Sequence, residues 1–122
     1  MPNHKNFFAA GLATAALFAA GAASAHAHLV KSTPAANATV AAPKTISLTF
    51  NEKLTPAFSK FEIVMPAMNA MAVPVKTSVS KDGLSIVGTP QAALMPGVYK
   101  ITWHAATSDG HKMDGGVDFT VK

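Results

Sequence analysis

Residues 107–111 read Thr-Ser-Asp-Gly-His and place a carboxylate (Asp109) and an imidazole (His111) on either side of a glycine. Asp-Gly is typical of a turn, because glycine adopts positive φ angles at little cost. Such a turn can direct both side chains to one point beyond the end of a sheet. A carboxylate oxygen with an imidazole nitrogen is half of a coordination set for Cu(II) or Zn(II). The triplet alone is a weak signal, because most such triplets are plain solvated turns.

A second group of donors depends on how the start of the chain is processed. Residues 1–25 are typical of a secretory signal peptide: a positive charge, an apolar stretch and a small-x-small cleavage site that ends at Ala25. Cleavage there makes His26 the mature N-terminus, and this is the site we expect. Cleavage after Ala27 would expose His28 instead. The third alternative is an uncleaved membrane anchor, since the apolar stretch is just long enough to span a bilayer.

A terminal histidine offers two nitrogens that could bind one metal ion. The α-amine and the imidazole Nδ1 of His26 can chelate one ion, and such groups titrate near about 8 and about 6.5. Together with Asp109 and His111 they form a set of three nitrogens and one oxygen, which favours Cu(II). His28 would be the third residue, and a free amine with histidine at position three is itself a Cu(II) chelator that uses the Ala27 amide. The alternatives are that His26 is a frayed terminal residue and that His28 is a plain polar residue before the first strand.

Other side chains could add ligands. Met65, Met68 and Met71 carry soft thioethers that suit Cu(I), although methionine also fills irregular gaps in a core. Glu52 follows a predicted strand and could supply a carboxylate, or it could simply form a surface ion pair. His104 lies on the outward face of the tryptophan-bearing strand, where it is either a fourth imidazole or a solvated residue.

Composition excludes several classes of protein. The mature chain has 97 residues, nine lysines, no arginine, six acidic residues and no cysteine. This length is enough for one domain with one core. The absence of cysteine excludes zinc fingers, thiol catalysis and a His₂Cys copper site. Scattered charges without arginine argue against nucleic-acid binding. The chain also lacks a metalloprotease motif, a phosphate-binding loop and a recognisable catalytic triad, so we expect no enzyme.

The elements that must position these donors are strands. Apolar residues alternate with polar ones in several short runs, and proline or glycine separates the runs. This pattern predicts an all-β, Greek-key sandwich of about seven strands. The predicted strands, including weaker ones at 29–33 and 71–75, lie at residues 29–33, 45–50, 61–65, 71–75, 84–86, 99–105 and 117–121.

The sequence resembles the CopC/PcoC family of periplasmic copper-resistance proteins. The resemblance covers essentially all of residues 26–122. The matching segments are residues 26–34, 48–54, 65–71, 96–103 and 108–111, which read HAHLVKSTP, LTFNEKL, MPAMNAM, PGVYKITW and SDGH.

The resemblance implies an immunoglobulin-like or cupredoxin-like β-sandwich that carries copper in the periplasm. It places the Cu(II) site on the amine and imidazole of His26 with Asp109 and His111, and it matches Glu52 to a nearby carboxylate. Met65, Met68 and Met71 match methionines of the family's Cu(I) site, although the loop histidine and a further methionine of that site are missing here. His104 stands where the best-known members carry arginine.

Residues 1–25 are therefore interpreted as a signal peptide and 26–122 as a copper-binding domain. We expect a monomeric protein that binds copper, as Cu(II) rather than Cu(I). It would sequester the ion for resistance or deliver it to a CopD-like inner-membrane protein. The alternatives are a β-sandwich interaction module without metal and, less favoured, a small copper oxidase.

Overall fold

The computed structural model describes residues 27–122, so the predicted signal peptide and His26 lie outside the described residues. This part of the chain is built from β-strands and two short 3₁₀ helices, Pro56–Phe58 and Pro66–Met68. Between residues 27 and 122, no helix has the length and apolar content that crossing a bilayer requires. The strands are β1 (Leu29–Thr33), β2 (Thr39–Val40), β3 (Ile46–Phe50), β4 (Lys60–Met65), β5 (Met71–Val73), β6 (Val75–Val79), β7 (Ser85–Pro90), β8 (Gly97–Ala106) and β9 (Lys112–Val121).

The strands form two sheets. One has the order β1-β3-β7-β6 and the other has the order β2-β9-β8-β4-β5. All pairs are antiparallel except β2 with β9, which is parallel. The chain passes from one sheet to the other after β1, β2, β3, β5 and β7. The predicted all-β sandwich is thereby confirmed.

The core lies between the sheets and follows the predicted alternation. On β3, Ile46, Leu48 and Phe50 are at most 1% exposed, while the residues between them are half-buried. On β8, Ile101 and Trp103 are buried in the same alternating manner. Every second side chain of a strand points to the same face, so this period of two places one row of apolar groups in the core.

The structure differs from the predicted strands in several places, and β7 and β9 both extend beyond the predicted 84–86 and 117–121. The weak strand at 71–75 is two strands, and Pro74 separates them. Proline has no backbone N–H to donate to a ladder, and the chain changes sheet at this residue. Strand β6 was missed beyond residue 75 because its apolar residues are only half-buried at the edge of a sheet. Strand β2 has two residues, too few for a periodic signal.

Strand pairing puts the candidate donors at two opposite ends of the sandwich. Leu29 at the start of β1 pairs with Phe50 at the end of β3. The β8–β9 hairpin closes at residues 107–111, and the isolated bridge between Leu54 and Thr107 brings these segments together. We call residues 27–28, 51–55 and 107–111 the turn end. The methionine end comprises residues 65–71 and 91–97. Strand β8 has ten residues and therefore separates the two ends by about 30 Å.

The only tryptophan of the chain is packed tightly near the turn end. Trp103 is 8% exposed and meets the ring of Phe50 edge-on, with the centroids 5.0 Å apart. Its other side lies against Gly115, its partner on β9, where an added Cβ would stand 2.3 Å from Cζ2 of the indole. Within the described residues, the buried Nε1 of Trp103 has no hydrogen-bond partner. Packing against Phe50 and Gly115 therefore holds the ring in place.

Substituting Gly115 should destabilise the fold. We expect Gly115→Ala to lower the free energy of unfolding by about 1–3 kcal/mol, because the added methyl group forces the indole to move. Gly116→Ala is the matched control, since its added Cβ would meet Ile101 O at an acceptable 3.4 Å. Urea unfolding of the metal-free protein, followed by tryptophan fluorescence, measures both. Equal losses for the two variants would contradict this account of the packing.

Candidate metal centre

The loop between β8 and β9 is a hydrogen-bonded turn. Gly110 N–H donates to Thr107 O and Thr107 N–H donates to His111 O, each at 3.0 Å. Gly110 has a φ of +88°, in the region that glycine adopts without a steric penalty. The predicted Asp-Gly turn is therefore present, and it holds Asp109 and His111 at the end of a two-stranded ribbon.

The carboxylate of Asp109 is the centre of this turn. Its Oδ1 accepts hydrogen bonds from the Thr107 hydroxyl and, at 3.2 Å, from His111 N–H. Its Oδ2 lies 2.7 Å from His111 Nδ1. These contacts lower the pKa of Asp109 to about 2; the largest cause is the Thr107 hydroxyl, followed by His111 N–H and the His111 side chain. The carboxylate is therefore ionised at neutral and mildly acidic pH.

The same contacts orient the imidazole. When His111 Nδ1–H donates to Asp109, the lone pair of the neutral ring lies on Nε2. A carboxylate that fixes the tautomer of a metal-binding histidine is a recurrent arrangement, and it raises the basicity of the ring. An ion bound at His111 Nε2 would lie on the side of the ring away from Asp109, so in the described contact the carboxylate orients His111. Asp109 would share an oxygen with the same ion only after this contact rearranges, since each carboxylate oxygen has two lone pairs. Their side chains are 53% and 56% exposed, respectively, so an ion can approach from solvent.

The start of the described chain is fixed at the same end. The backbone N–H of His28 donates to Asn51 Oδ1 at 2.7 Å, and Asn51 N–H donates to His28 O at 3.2 Å. Three residues later, Leu54 forms a bridge with Thr107, and Thr55 N–H donates to Ala106 O at 2.7 Å. One connection therefore holds both the chain start and the turn.

Sequence reasoning did not assign a role to Asn51 or Thr107. Both are small polar residues that end a strand-like run, and such residues are common in turns, so their types gave no specific signal. Their roles depend on contacts with His28 and Asp109 that only the pairing of strands reveals.

The structure brings only part of the predicted ligand set together. Asp109 and His111 are in contact, while His26 lies outside the described residues. Glu52 is half-buried in the same connection as Asn51. From residue 27 to residue 122, no three histidine or acidic side chains form a group that could hold a metal ion. The predicted site therefore requires donors from His26.

His104 does not belong to the turn end. Its Nδ1 lies 2.7 Å from Asp114 Oδ1, and its Nε2 lies 3.7 Å from Glu62 Oε1. These three residues lie on adjacent strands, on the outer face of the five-stranded sheet. His104 is thus a residue of the outer sheet face that pairs with acidic neighbours. This agrees better with the predicted solvated strand residue than with a fourth imidazole ligand.

The methionine end contains a small cavity of about 140 Å³. Met65 and Met71 are cross-strand partners, and both line the cavity together with Met95. Met68, on the 3₁₀ helix, is 47% exposed and is not among the lining residues. Sequence reasoning missed Met95, which reaches this end from the loop before β8. The Tyr99 hydroxyl donates to Met95 O at 2.6 Å and fixes that loop.

Comparisons with known proteins identify the family. Residues 29–122 match the model of the CopC domain, and the chain therefore belongs to the CopC family. Copper resistance protein C of Xanthomonas campestris pv. juglandis is 42% identical over 113 residues, which is 88% of this chain and 89% of that protein. The family resemblance expected from the sequence is confirmed.

Solved structures agree. The crystal structure of PcoC, a methionine-rich copper resistance protein from Escherichia coli, matches with a TM-score of 0.74 and 39% identity over 80% of this chain and all of that chain.

A longer relative, the copper transport protein CutJ of Bacillus subtilis, is 29% identical over 99 residues, which is 80% of this chain and 18% of CutJ.

The Thr107 hydroxyl should set the acidity of Asp109. We expect Thr107→Val to raise the pKa of Asp109 from about 2 toward the ordinary value of about 3.9, because the variant removes the strongest hydrogen bond to the ionised form. Carboxyl chemical shifts followed by NMR in the metal-free protein measure this pKa. Ser108→Ala, at the exposed neighbour, is the control and should leave the pKa unchanged. An unchanged pKa in Thr107→Val would rule out the assigned hydrogen bond.

Proposed function

We propose that this protein binds Cu(II) after export and serves in copper resistance as a periplasmic carrier. The observation that carries the proposal is the Asp109–His111 pair, held in contact at the same end of the sandwich as the first described residues, 27–28. The choice of copper is supported by the CopC family to which the chain belongs, since a relative in it is named copper resistance protein C.

The proposed ligands are the amine and imidazole of His26, the imidazole of His111 and an oxygen of Asp109. Three nitrogens and one oxygen suit the tetragonal preference of Cu(II). Strand β1 begins at Leu29, three residues after His26, so only a short segment separates the terminal donors from this strand. Glu52 is a further carboxylate in the connection that carries Asn51, and it could complete the set.

A carrier must also release its cargo. The exposed position of Asp109 and His111 at one tip of the sandwich suits transfer to a partner without opening the core. We propose a CopD-like inner-membrane protein as the recipient. Support comes from CutJ, a longer protein named for copper transport, in which the matching region is only a minor part of the chain.

Both halves of the site should be needed for Cu(II) binding. In a protein that starts at His26, the Asp109→Ala/His111→Ala double variant should bind Cu(II) at least about tenfold more weakly, because even indirect partners of metal ligands contribute that much. Competition with a chelator of known affinity measures the loss, and electron paramagnetic resonance reports the number of coordinated nitrogens.

Two further samples complete this experiment. One extra alanine before His26 displaces the amine and should weaken binding to a similar extent, while the Ser108→Ala protein should bind like the parent. Mass spectrometry of the exported protein establishes whether His26 is the terminus. If the double variant binds as tightly as the parent, the turn is not part of the site and the ion is held by the start of the mature chain; if the parent itself shows no specific Cu(II) binding, an interaction module without metal becomes the better interpretation.

A second proposal concerns Cu(I) at the methionine end. The observation that favours it is the shared cavity of Met65, Met71 and Met95, which is lined by methionines from the paired strands β4 and β5 and from the loop before β8. Thioethers are soft ligands that select Cu(I). Met68 was grouped with these residues from the sequence, but it lies outside the cavity lining and is left out of the proposed site.

The cavity predicts which methionines matter. Under anaerobic conditions, Met71→Leu/Met95→Leu should weaken Cu(I) binding at least about tenfold, because it removes two of three thioethers. Met68→Leu is the matched control and should bind like the parent. Competition with a colorimetric Cu(I) chelator measures the affinity. An equal loss in Met68→Leu would show that the cavity is not the site.

A further inference from the structure

Two coordination modes compete for Cu(II) at a chain that starts with His26. In the turn mode, which is the proposed function, the ion takes the amine and imidazole of His26 with Asp109 and His111. In the terminal chelate, the ion is surrounded by the amine of His26, the amide nitrogens of Ala27 and His28, and the imidazole of His28. The terminal chelate needs nothing from the turn, so some feature of the molecule must favour one mode over the other.

One nitrogen that the terminal chelate requires is already engaged in a hydrogen bond. The backbone N–H of His28 donates to Asn51 Oδ1 at 2.7 Å, a short and well-formed hydrogen bond. The nitrogen cannot bind an ion while it keeps that hydrogen. The turn mode, in contrast, makes no use of the His28 amide and is compatible with this hydrogen bond.

The surrounding backbone restricts the same segment. His28 O accepts a hydrogen bond from Asn51 N–H at 3.2 Å, and Leu29 is already in register with Phe50. Ala27 is 6% exposed, so the residue that must supply the other amide is packed against the protein. Wrapping residues 26–28 around an ion would break these contacts.

We infer that Asn51 is a specificity-determining residue that directs the start of the chain to the turn and against the terminal chelate. Its backbone N–H would pair with His28 O whatever its side chain, but only the side-chain oxygen engages the His28 N–H. This inference rests on the proposed function, because it takes His26 as the terminus. A single hydrogen bond of this kind shifts the balance between two states by about two- to tenfold.

The experiment isolates the terminal chelate by removing the turn. The background is the chain 26–122 with Asp109→Ala and His111→Ala. Adding Asn51→Ala should raise its Cu(II) affinity about two- to tenfold, with the paramagnetic resonance pattern of four nitrogens. Asn51→Asp keeps an acceptor oxygen and should remain near the parent. Adding His28→Ala to the Asn51→Ala protein should remove the gain. No gain from Asn51→Ala, or a gain that survives His28→Ala, would overturn the inference.

The chain with an intact turn separates this inference from the proposed function. There, Asn51→Ala should increase the share of the four-nitrogen spectrum, and Asn51→Asp should not. If the parent already shows that spectrum and loses it on His28→Ala, Asn51 does not exclude the chelate and the inference fails. If the parent and its Asp109→Ala/His111→Ala variant bind equally, the proposed function fails, whatever Asn51 does.

Discussion

The turn end depends on the pairing of residues 54–55 with residues 106–107. Strand β3 belongs to the four-stranded sheet, while β8 belongs to the five-stranded sheet. After β3, the hydrogen bond from Thr55 N–H to Ala106 O and the bridge between Leu54 and Thr107 attach the connection to the end of β8. This attachment adds to the shared core a direct backbone link between the segment that carries Asn51 and the turn that carries His111.

The low pKa of Asp109 keeps its carboxylate ionised in acid. The group binds a proton only near about pH 2, because the Thr107 hydroxyl and His111 N–H donate to the ionised form. The contribution of the ionised Asp109 to the fold is present above about pH 4 and is lost as the pH falls through about 2, because its pKa is lowered on folding.

Period-two alternation made the fold readable from the sequence, because Ile46, Leu48 and Phe50 must share one face of a strand. The Asp109–His111 pair was predictable because the two residues are only two positions apart in a turn. Asn51 and Met95 were not, since each acts on a residue distant in sequence, namely His28 and Met65. Such contacts depend on the register of paired strands, which a local sequence pattern does not encode. The predicted ligand His26 and the signal peptide lie outside the described residues and stay predictions.

The two ends of β8 offer chemically opposite surroundings. Oxygen and nitrogen donors stand at one end and thioethers at the other, with the length of a ten-residue strand between them. No side chain spans such a distance, and the space between the sheets is filled by the apolar core. An ion held at the turn end would therefore reach the thioethers only through solvent or on another molecule, so the two ends would load and unload copper independently of each other.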